Sequence, residues 1–170
     1  MDRIFCVRAD FGKYTDHFIN GGYAAVGWFS GQDFSAASSR EDLEDIHTSS
    51  TLNEVRNALA GQQLDQVARF LFELKGGDFV ITPSLNTEYI YYGVAQPDPN
   101  YYHDDASDGC PYVHRKKVIW CASPVPAGIF PAQFQISMRS SLSVFPINNK
   151  QDFLATIENA PVEIEQGQAG

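Results

Sequence analysis

Residues 64–82 read LDQVARFLFELKGGDFVIT, a stretch that carries a helix pattern, a stop signal and a strand pattern in succession. Its first half repeats apolar residues at intervals of three and four, which is typical of an amphipathic helix with one buried face. Gly76–Gly77 ends that helix, because glycine adopts the left-handed conformation of a helix C-terminus without strain. Residues 78–82 follow as a strand. The stretch therefore predicts a helix that leads directly into a sheet.

Further strand patterns lie on both sides of this stretch. Towards the N-terminus, residues 4–8 and 23–29 are predicted strands, and a short helix between them ends at Gly21–Gly22. Towards the C-terminus, the predicted strands are 88–95, 113–121 and 141–147, and a terminal helix contains Phe153, Leu154 and Ile157. A long irregular loop is predicted between Gln96 and Pro111.

Two capping boxes, SSRE at 38–41 and TLNE at 51–54, place further helices between the second and third strands. About six strands with helices inserted in this way predict an α+β fold, with a small, strongly bent mixed sheet or partial barrel. Residues 1–160 are predicted to form a single domain, and residues 161–170 a linker-like tail.

Composition narrows the class of protein. The chain has 170 residues, of which 44% are hydrophobic and 13% aromatic, and this is typical of one globular domain. The sequence has no apolar run of membrane-spanning length, no signal-peptide pattern, and three widely spaced cysteines, which together predict a cytoplasmic protein. The net charge of −9 predicts weak non-specific binding to nucleic acid.

The sequence contains none of the common motifs of active sites: no GxGxxG, P-loop, GxSxG or HExxH. Cys6 and Cys121 lie in apolar strand patterns and are predicted core residues, and Cys110 lies in a loop without a sign of activation. The candidate metal ligands match no familiar zinc spacing; they are His103, Asp105, Cys110 and His114. We therefore predict a binding module rather than an enzyme, without a metal or a cofactor.

Aromatic residues are concentrated at predicted strand ends and in loops, where rings can surround a flat ligand. A nucleic-acid base stacked on such a ring gains about 1–3 kcal/mol. The candidate pocket residues in these positions are Trp28, Phe29, Ser30, Tyr101, Tyr102 and Tyr112. The alternative for Trp28 is a packed position in the core.

Polar groups beside these aromatic residues complete the predicted site. Thr82 and Ser84, at the end of the third strand, would form hydrogen bonds with the edge of a base. The only concentration of basic residues opens a strand and is the predicted phosphate contact; it consists of His114, Arg115, Lys116 and Lys117. The alternative for this run is a solvated strand edge.

The order of the segments resembles that of PUA-like domains found before Mrr-type restriction endonuclease domains. The similar segments are VRADFGKY at 7–14, AAVGWF at 24–29, QVARF at 66–70, KGGDFVIT at 75–82, YYGVA at 91–95, YVHRKKVIW at 112–120 and SSLSVF at 140–145. The resemblance covers about residues 4 to 147 and extends, more distantly, to EVE and YTH domains.

This resemblance implies an EVE-like fold and a mechanism of base flipping. The base would stack on Trp28, and its edge would be read by Thr82, Ser84 and backbone groups. The YTH pattern has a tryptophan in the loop before the later strand, and this sequence has none there. The second wall therefore stays open between Tyr112 and the pair Tyr101–Tyr102.

We predict from these features a reader of modified bases, with DNA as the expected nucleic acid, in a restriction or antiphage defence system. The effector nuclease would lie outside this chain. Two alternatives stay open: an RNA-binding or small-molecule-binding PUA-like module, and a protein-interaction domain with Trp28 packed in its core. The sequence does not select the modified base.

Overall fold

The computed structural model describes residues 3–29, 31–50, 58–103 and 106–160. In these ranges the strands are β1 (Ile4–Val7), β2 (Tyr23–Val26), β3 (Phe79–Pro83), β4 (Tyr89–Ala95), β5 (Tyr101–Tyr102), β6 (His114–Trp120), β7 (Val125–Pro126) and β8 (Val144–Ile147). The α-helices are α1 (Thr15–Gly21), α2 (Arg40–Ser50), α3 (Ala58–Ala68), α4 (Ala132–Ser137) and α5 (Lys150–Glu158). Within the described ranges no helix is both long enough and apolar enough to cross a membrane.

The strands form one mixed sheet in the order β2-β6-β4-β3-β1-β8, with β5 added to β6 and β7 added to β4. The pairing of β1 with β3 is parallel, and the other pairings are antiparallel. The sheet curls strongly into a half-barrel. The predicted α+β class and bent mixed sheet are therefore confirmed, as is the insertion of helices between the second and third long strands.

The two faces of β1 belong to two separate cores. Phe5 and Val7 point into the first core, while Ile4 and Cys6 point into the second. Burial raises the pKa of the Cys6 thiol to about 12, and its predicted core position is confirmed. Large side chains of the first core include Phe18, Leu43, Leu64 and Phe70, and those of the second include Phe130, Phe134 and Phe153.

The helix predicted from residue 64 onwards changes its geometry before it ends. The α-helical part stops at Ala68, and Arg69–Glu73 forms a π-helical turn in which the Leu74 N–H donates to the Arg69 carbonyl at 3.1 Å. The Arg69 side chain leaves this turn and donates to the Val144 carbonyl at 2.9 Å. The turn therefore joins the helix to the first residue of β8.

Asp78 fixes the connection between this helix and β3. Its carboxylate is 3% exposed and accepts hydrogen bonds from the backbone N–H groups of Arg3 and Lys75, each at 2.9 Å. A buried carboxylate is stable only with such partners. Asp78 therefore ties the start of β1 and the end of the helix to the start of β3.

Four parts of the chain differ from the sequence prediction or lie beyond it. The first capping box is shifted by one residue: Ser39 Oγ accepts from the Asp42 N–H at 3.2 Å, and the Asp42 carboxylate accepts from the Ser38 N–H at 2.9 Å. The elements between β6 and β8 were not predicted, because α4 has only six residues and carries little periodicity. The second capping box, 51–54, and the predicted tail, 161–170, lie outside the described residues.

We expect Asp78→Ala to lower the free energy of unfolding by about 3 kcal/mol, because it removes a charged acceptor from two backbone N–H groups. Urea denaturation measures this change. The matched control is Asp98→Ala, whose carboxylate lies 3.7 Å from the exposed Lys117 ammonium and is expected to contribute less than about 1 kcal/mol. Equal losses in the two variants would contradict the role given to Asp78.

Candidate functional site

A cleft of about 400 Å³ opens between the two sides of the curled sheet. Because β8 runs antiparallel to β1, and β6 antiparallel to β2, the ends of β1 and β2 lie beside the starts of their partners. One wall of the cleft consists of residues that follow β1 and residues that precede β8. The other wall consists of residues that follow β2 and residues that precede β6. We call this space the aromatic cleft; its lining residues are Arg8, Asp10, Phe11, Val26, Gly27, Trp28, Tyr112, Ser141 and Ser143.

The first aromatic wall is Trp28, which directly follows β2. Its side chain is half-buried and packs against the first core while it also lines the cleft. The next residue, Phe29, has a left-handed backbone with φ of 62°, a strained conformation for a bulky side chain. The Phe29 ring contacts Phe34 and His47, with centroid distances of 5.6 and 4.8 Å. Phe29 therefore anchors the loop.

The loop that follows Trp28 rests on His114 and Tyr102. The Phe34 N–H donates to Nε2 of His114 at 3.3 Å, and the Phe34 ring stacks on the imidazole at 4.9 Å. The Gly31 N–H donates to the Tyr102 hydroxyl at 2.9 Å. Burial lowers the pKa of His114, which keeps the imidazole neutral and able to accept that hydrogen bond at neutral pH.

Arg115 shapes the loop that carries the second aromatic wall. Its guanidinium is 2% exposed, lies 4.2 Å from the centre of the Tyr23 ring, and contacts the Asp108 carboxylate at 2.6 Å. It also donates to the carbonyls of Tyr112 and Cys110, at 2.9 and 3.0 Å. The hydrogen bonds from Arg115 hold the pKa of Asp108 down at about 2. Arg115 is thus a positioning residue for Tyr112.

The Tyr112 ring is fixed from three sides. It packs against the rings of Tyr14 and Phe18, at centroid distances of 5.2 and 6.4 Å. It also lies so close to Gly27 that a methyl group there would come within 2.4 Å of two ring carbons. Burial raises the pKa of Tyr112 to about 12, and the nearby charge of Asp10 adds to this. The hydroxyl therefore stays protonated and is able to donate or accept a hydrogen bond.

The opposite wall is held by Arg8 and Gln66. A terminal nitrogen of Arg8 donates to the carbonyls of Met138 and Ser140, at 2.6 and 2.8 Å. The backbone N–H of Arg8 donates to the Ser143 carbonyl at 2.8 Å, while the Gln66 side chain accepts from the Ser143 N–H at 2.7 Å. These contacts hold the half-buried Arg8 and Ser143 on this side of the cleft, which Ser141 also lines.

Left-handed backbone geometry is concentrated around the cleft. Within the described ranges, the non-glycine residues with positive φ are Asp10, Phe11, Phe29, Asn86 and Thr87. Asp10 and Phe11 line the aromatic cleft, and Phe29 adjoins Trp28. Such conformations cost about 1–3 kcal/mol each and are frequent at binding sites. Their position therefore favours this end of the sheet as the functional surface.

Two other clefts adjoin the aromatic cleft, and all three share Arg8 and Phe11. The larger, which we call the apolar cleft, has a volume of about 570 Å³; its apolar lining residues include Ile90, Ala127, Phe130, Phe134 and Met138. The smaller, of about 180 Å³, lies between the loops that follow β1 and β3 and is lined by Ser84 and Leu85.

Of the predicted pocket residues, the structure brings Trp28 and Tyr112 together in the aromatic cleft. Ser84 lines only the small neighbouring cleft. Thr82 is fully buried, and among the described residues its hydroxyl has no hydrogen-bond partner. Ser30 lies outside the described residues. Tyr101 and Tyr102 form β5 and, like Phe29, do not line the aromatic cleft.

The predicted phosphate-binding run is placed differently from the expectation. His114, Arg115 and Lys116 are 1%, 2% and 5% exposed, so their side chains do not present charge at the surface. Burial also lowers the pKa of Lys116. Lys117 is exposed, but it lies 3.7 Å from Asp98 and does not line the aromatic cleft. His114 and Arg115 instead support the loops around the cleft from the interior.

Sequence reasoning missed the wall that contains Arg8, Asp10, Phe11, Ser141 and Ser143. A usable signal was present in residues 7–14, where a large apolar residue stands in a glycine turn between a strand and a helix. For the two serines the sequence offers no comparable signal. They reach the cleft through the pairing of β8 with β1.

The predicted metal candidates do not form a cluster. Within the described ranges, no group of three or more His, Cys, Asp or Glu residues is arranged to hold a metal ion. Asp105 lies outside these ranges. Cys110 is buried in the first core, and the His103 ring lies 3.6 Å from Asp108. Cys121 is only half-buried, although it was predicted as a core residue.

A comparison with protein families places residues 8–146 in one family, whose description is "Domain of unknown function (DUF8426)". The matched residues contain all of the side chains that line the aromatic cleft. No curated protein matches the chain.

We expect Asp108→Asn to lower the free energy of unfolding at pH 7 by about 1–2 kcal/mol, because a buried guanidinium loses its counter-charge while the carboxylate is partly screened by solvent. The folded pKa of about 2 lies below the ordinary value of 3.8. The stabilisation is therefore present above about pH 4 and is lost as the pH falls towards 2.

Denaturation curves between pH 7 and pH 2 measure this effect. The difference between the wild-type protein and Asp108→Asn should shrink as the pH falls through this window, whereas Asp98→Asn should change little. A constant difference at every pH would show that the Asp108 charge has no part in the effect.

We expect Gly27→Ala to lower the free energy of unfolding by about 1–3 kcal/mol, because the new methyl group overlaps the Tyr112 ring. The overlap is absent in the double variant Gly27→Ala/Tyr112→Ala. Its loss of unfolding free energy should therefore be smaller than the sum of the losses in the two single variants. Gly128→Ala is the control, since nothing lies within 4 Å of the added methyl group. Additive losses would rule out a direct contact.

Proposed function

This chain belongs to the DUF8426 family, and we propose that its aromatic cleft binds a modified base of nucleic acid, with DNA as the nucleic acid. The observation that carries the proposal is the presence of Trp28, Tyr112 and Phe11 around one space of about 400 Å³. This volume lies in the usual range for small-ligand sites, about 300–1,000 Å³. Stacking on an aromatic ring offsets the few kcal/mol needed to extrude a base.

The polar groups of the cleft suit the edge of a base. The Asp10 carboxylate accepts hydrogen bonds, as an exocyclic amino group requires, and the serine hydroxyls of Ser141 and Ser143 donate or accept. Arg8 supplies a cation that is already held by two carbonyls. In this proposal these residues read the base, and the buried Thr82 does not take part.

Charges near the cleft support contact with phosphate despite the net charge of −9. Lys13 and Arg139 are exposed, Lys13 lies in the loop after β1, and Arg139 lines the apolar cleft beside Arg8. We propose these two side chains as the phosphate contacts, in place of the buried residues His114, Arg115 and Lys116. Binding to unmodified DNA should remain weak and should fall as salt rises.

The sequence resemblance to PUA-like and EVE domains supports the same proposal, and the strongly curled half-barrel belongs to the α+β class that the resemblance implies. The resemblance to domains that precede Mrr-type nucleases extends the proposal to a role in restriction or antiphage defence. In that role the chain is a cytoplasmic reader without catalytic activity, and an effector nuclease outside this chain cuts DNA that carries the modified base.

A second candidate is a small-molecule-binding module, and the apolar cleft of about 570 Å³ favours it. Phe130, Phe134 and Met138 would surround an apolar ligand there, and Arg139 would meet a negative group. Recognition of a base in RNA would use the aromatic cleft in the same way as recognition in DNA. Trp28 is half-buried, which favours the small-molecule and RNA alternatives over a protein-interaction domain in which Trp28 is packed.

We expect Trp28→Ala to weaken binding of the preferred modified base by roughly 5- to 150-fold, which corresponds to the loss of about 1–3 kcal/mol of stacking. The measurement is a titration at low, stated salt with short duplexes carrying unmodified, methylated, hydroxymethylated or glucosylated bases, and with matching RNA. Tyr101→Ala is the control, because Tyr101 is exposed and does not line the cleft.

A melting curve for each variant separates affinity from folding. Preference for one modified base, lost in Trp28→Ala and kept in Tyr101→Ala, would support the reader function and identify its ligand. Binding to none of the DNA or RNA probes would reject the proposal and favour the small-molecule alternative.

A further inference from the structure

Two large apolar side chains are exposed beside the aromatic cleft. Phe11 is 78% exposed and Leu85 is 61% exposed. Both line the small cleft between the loops that follow β1 and β3, so they are neighbours on the surface rather than scattered residues. Two apolar side chains presented together at the mouth of a cleft mark an interaction site more often than single exposed residues do.

Left-handed backbone geometry shapes the two loops that carry these side chains. Phe11 has a left-handed φ of 56°, and Leu85 is followed by Asn86 and Thr87 with φ of 60° and 55°. The two loops touch each other: a methyl group at Gly12 would come within 2.4 Å of the Leu85 backbone nitrogen. Loops whose backbones are packed together in this way lose less conformational entropy when they bind a partner.

Phe11 connects this exposed pair to the proposed base site. Its side chain lines the aromatic cleft together with Trp28 and Tyr112, and it also lines the small cleft together with Leu85. A base that enters the aromatic cleft leaves a gap in the duplex from which it came. The side chains closest to that gap would then be the ones exposed at the mouth of the cleft.

We infer that Phe11 and Leu85 form an apolar wedge that enters the base stack of duplex DNA at the position vacated by the bound base. The inference rests on the proposed function and narrows its substrate to a paired duplex. Apolar side chains in this role partly unstack the neighbouring base steps. Arg139 lines the apolar cleft together with Phe11, and the exposed Lys13 follows Phe11 by two residues in the same loop; these are the cations we assign to the phosphates of the opened step.

The test compares Phe11→Ala, Leu85→Ala and the double variant with the wild-type chain. The probes are short DNA duplexes that carry methylcytosine, hydroxymethylcytosine, glucosylated hydroxymethylcytosine or methyladenine, and the same modified strands without their complements. Ile119→Ala is the matched control, because Ile119 is 64% exposed on β6 and lines none of the three clefts. A fluorescent adenine analogue beside the modified base reports unstacking.

We expect Leu85→Ala, which does not line the aromatic cleft, to bind the preferred duplex several-fold more weakly, with a smaller rise in fluorescence, and to bind the single strand with unchanged affinity. The double variant should bind the duplex roughly tenfold or more weakly and should lose less affinity for the single strand, where only the contact of Phe11 with the base is removed. An abasic site opposite the modified base should restore much of the lost affinity, because the stack is already open there. Ile119→Ala should bind like the wild-type chain.

The outcomes separate this inference from the proposed function. If the wild-type chain binds none of the modified duplexes or strands, the proposed function fails, and the wedge with it. If the wild-type chain binds and the double variant binds the duplex equally well, only the wedge is rejected. Equal losses for duplex and single strand would also reject the wedge, since the two residues would then contact the base itself.

Discussion

The parallel pairing of β1 with β3 is the constraint on which the rest of the structure depends. Parallel neighbours cannot be joined by a hairpin, so the chain between them must cross over, and here it contributes α1, β2, α2 and α3 on the way. β1 lies between β3 and β8, is buried at all four residues, and separates the two cores. It also aligns the ends of β1 and β3, so that the two following loops lie side by side.

The aromatic cleft follows from this arrangement and from the curl of the sheet. β2 and β8 lie at opposite ends of the strand order, yet the residues that follow β2 and those that precede β8 line the same space. Each wall is fixed by hydrogen bonds from a cation: Arg8 holds the loop before β8, and Arg115 holds the loop before β6. The positions of both walls therefore depend on contacts within the chain.

The basic run shows how burial changes the meaning of charged residues. Arg115 is compensated by Asp108 and two carbonyls, and His114 is neutral and accepts a backbone N–H. These groups stabilise the loops around the cleft instead of meeting solvent. The exposed cations Lys13, in the loop after β1, and Arg139, in the lining of the apolar cleft, lie outside the basic run.

By itself the sequence determined the α+β class, the long strands, the helix that leads into β3, and Trp28 and Tyr112 as candidate walls. These features depend on local periodicity, on glycine stops and on aromatic residues at strand ends, all of which can be read along the chain. The tertiary structure alone decided which side chains meet. Arg8, Asp10 and Ser143 join the cleft, while Thr82 and Arg115 turn inward, because sheet curl and strand pairing set the direction of each side chain over distances that no local pattern records.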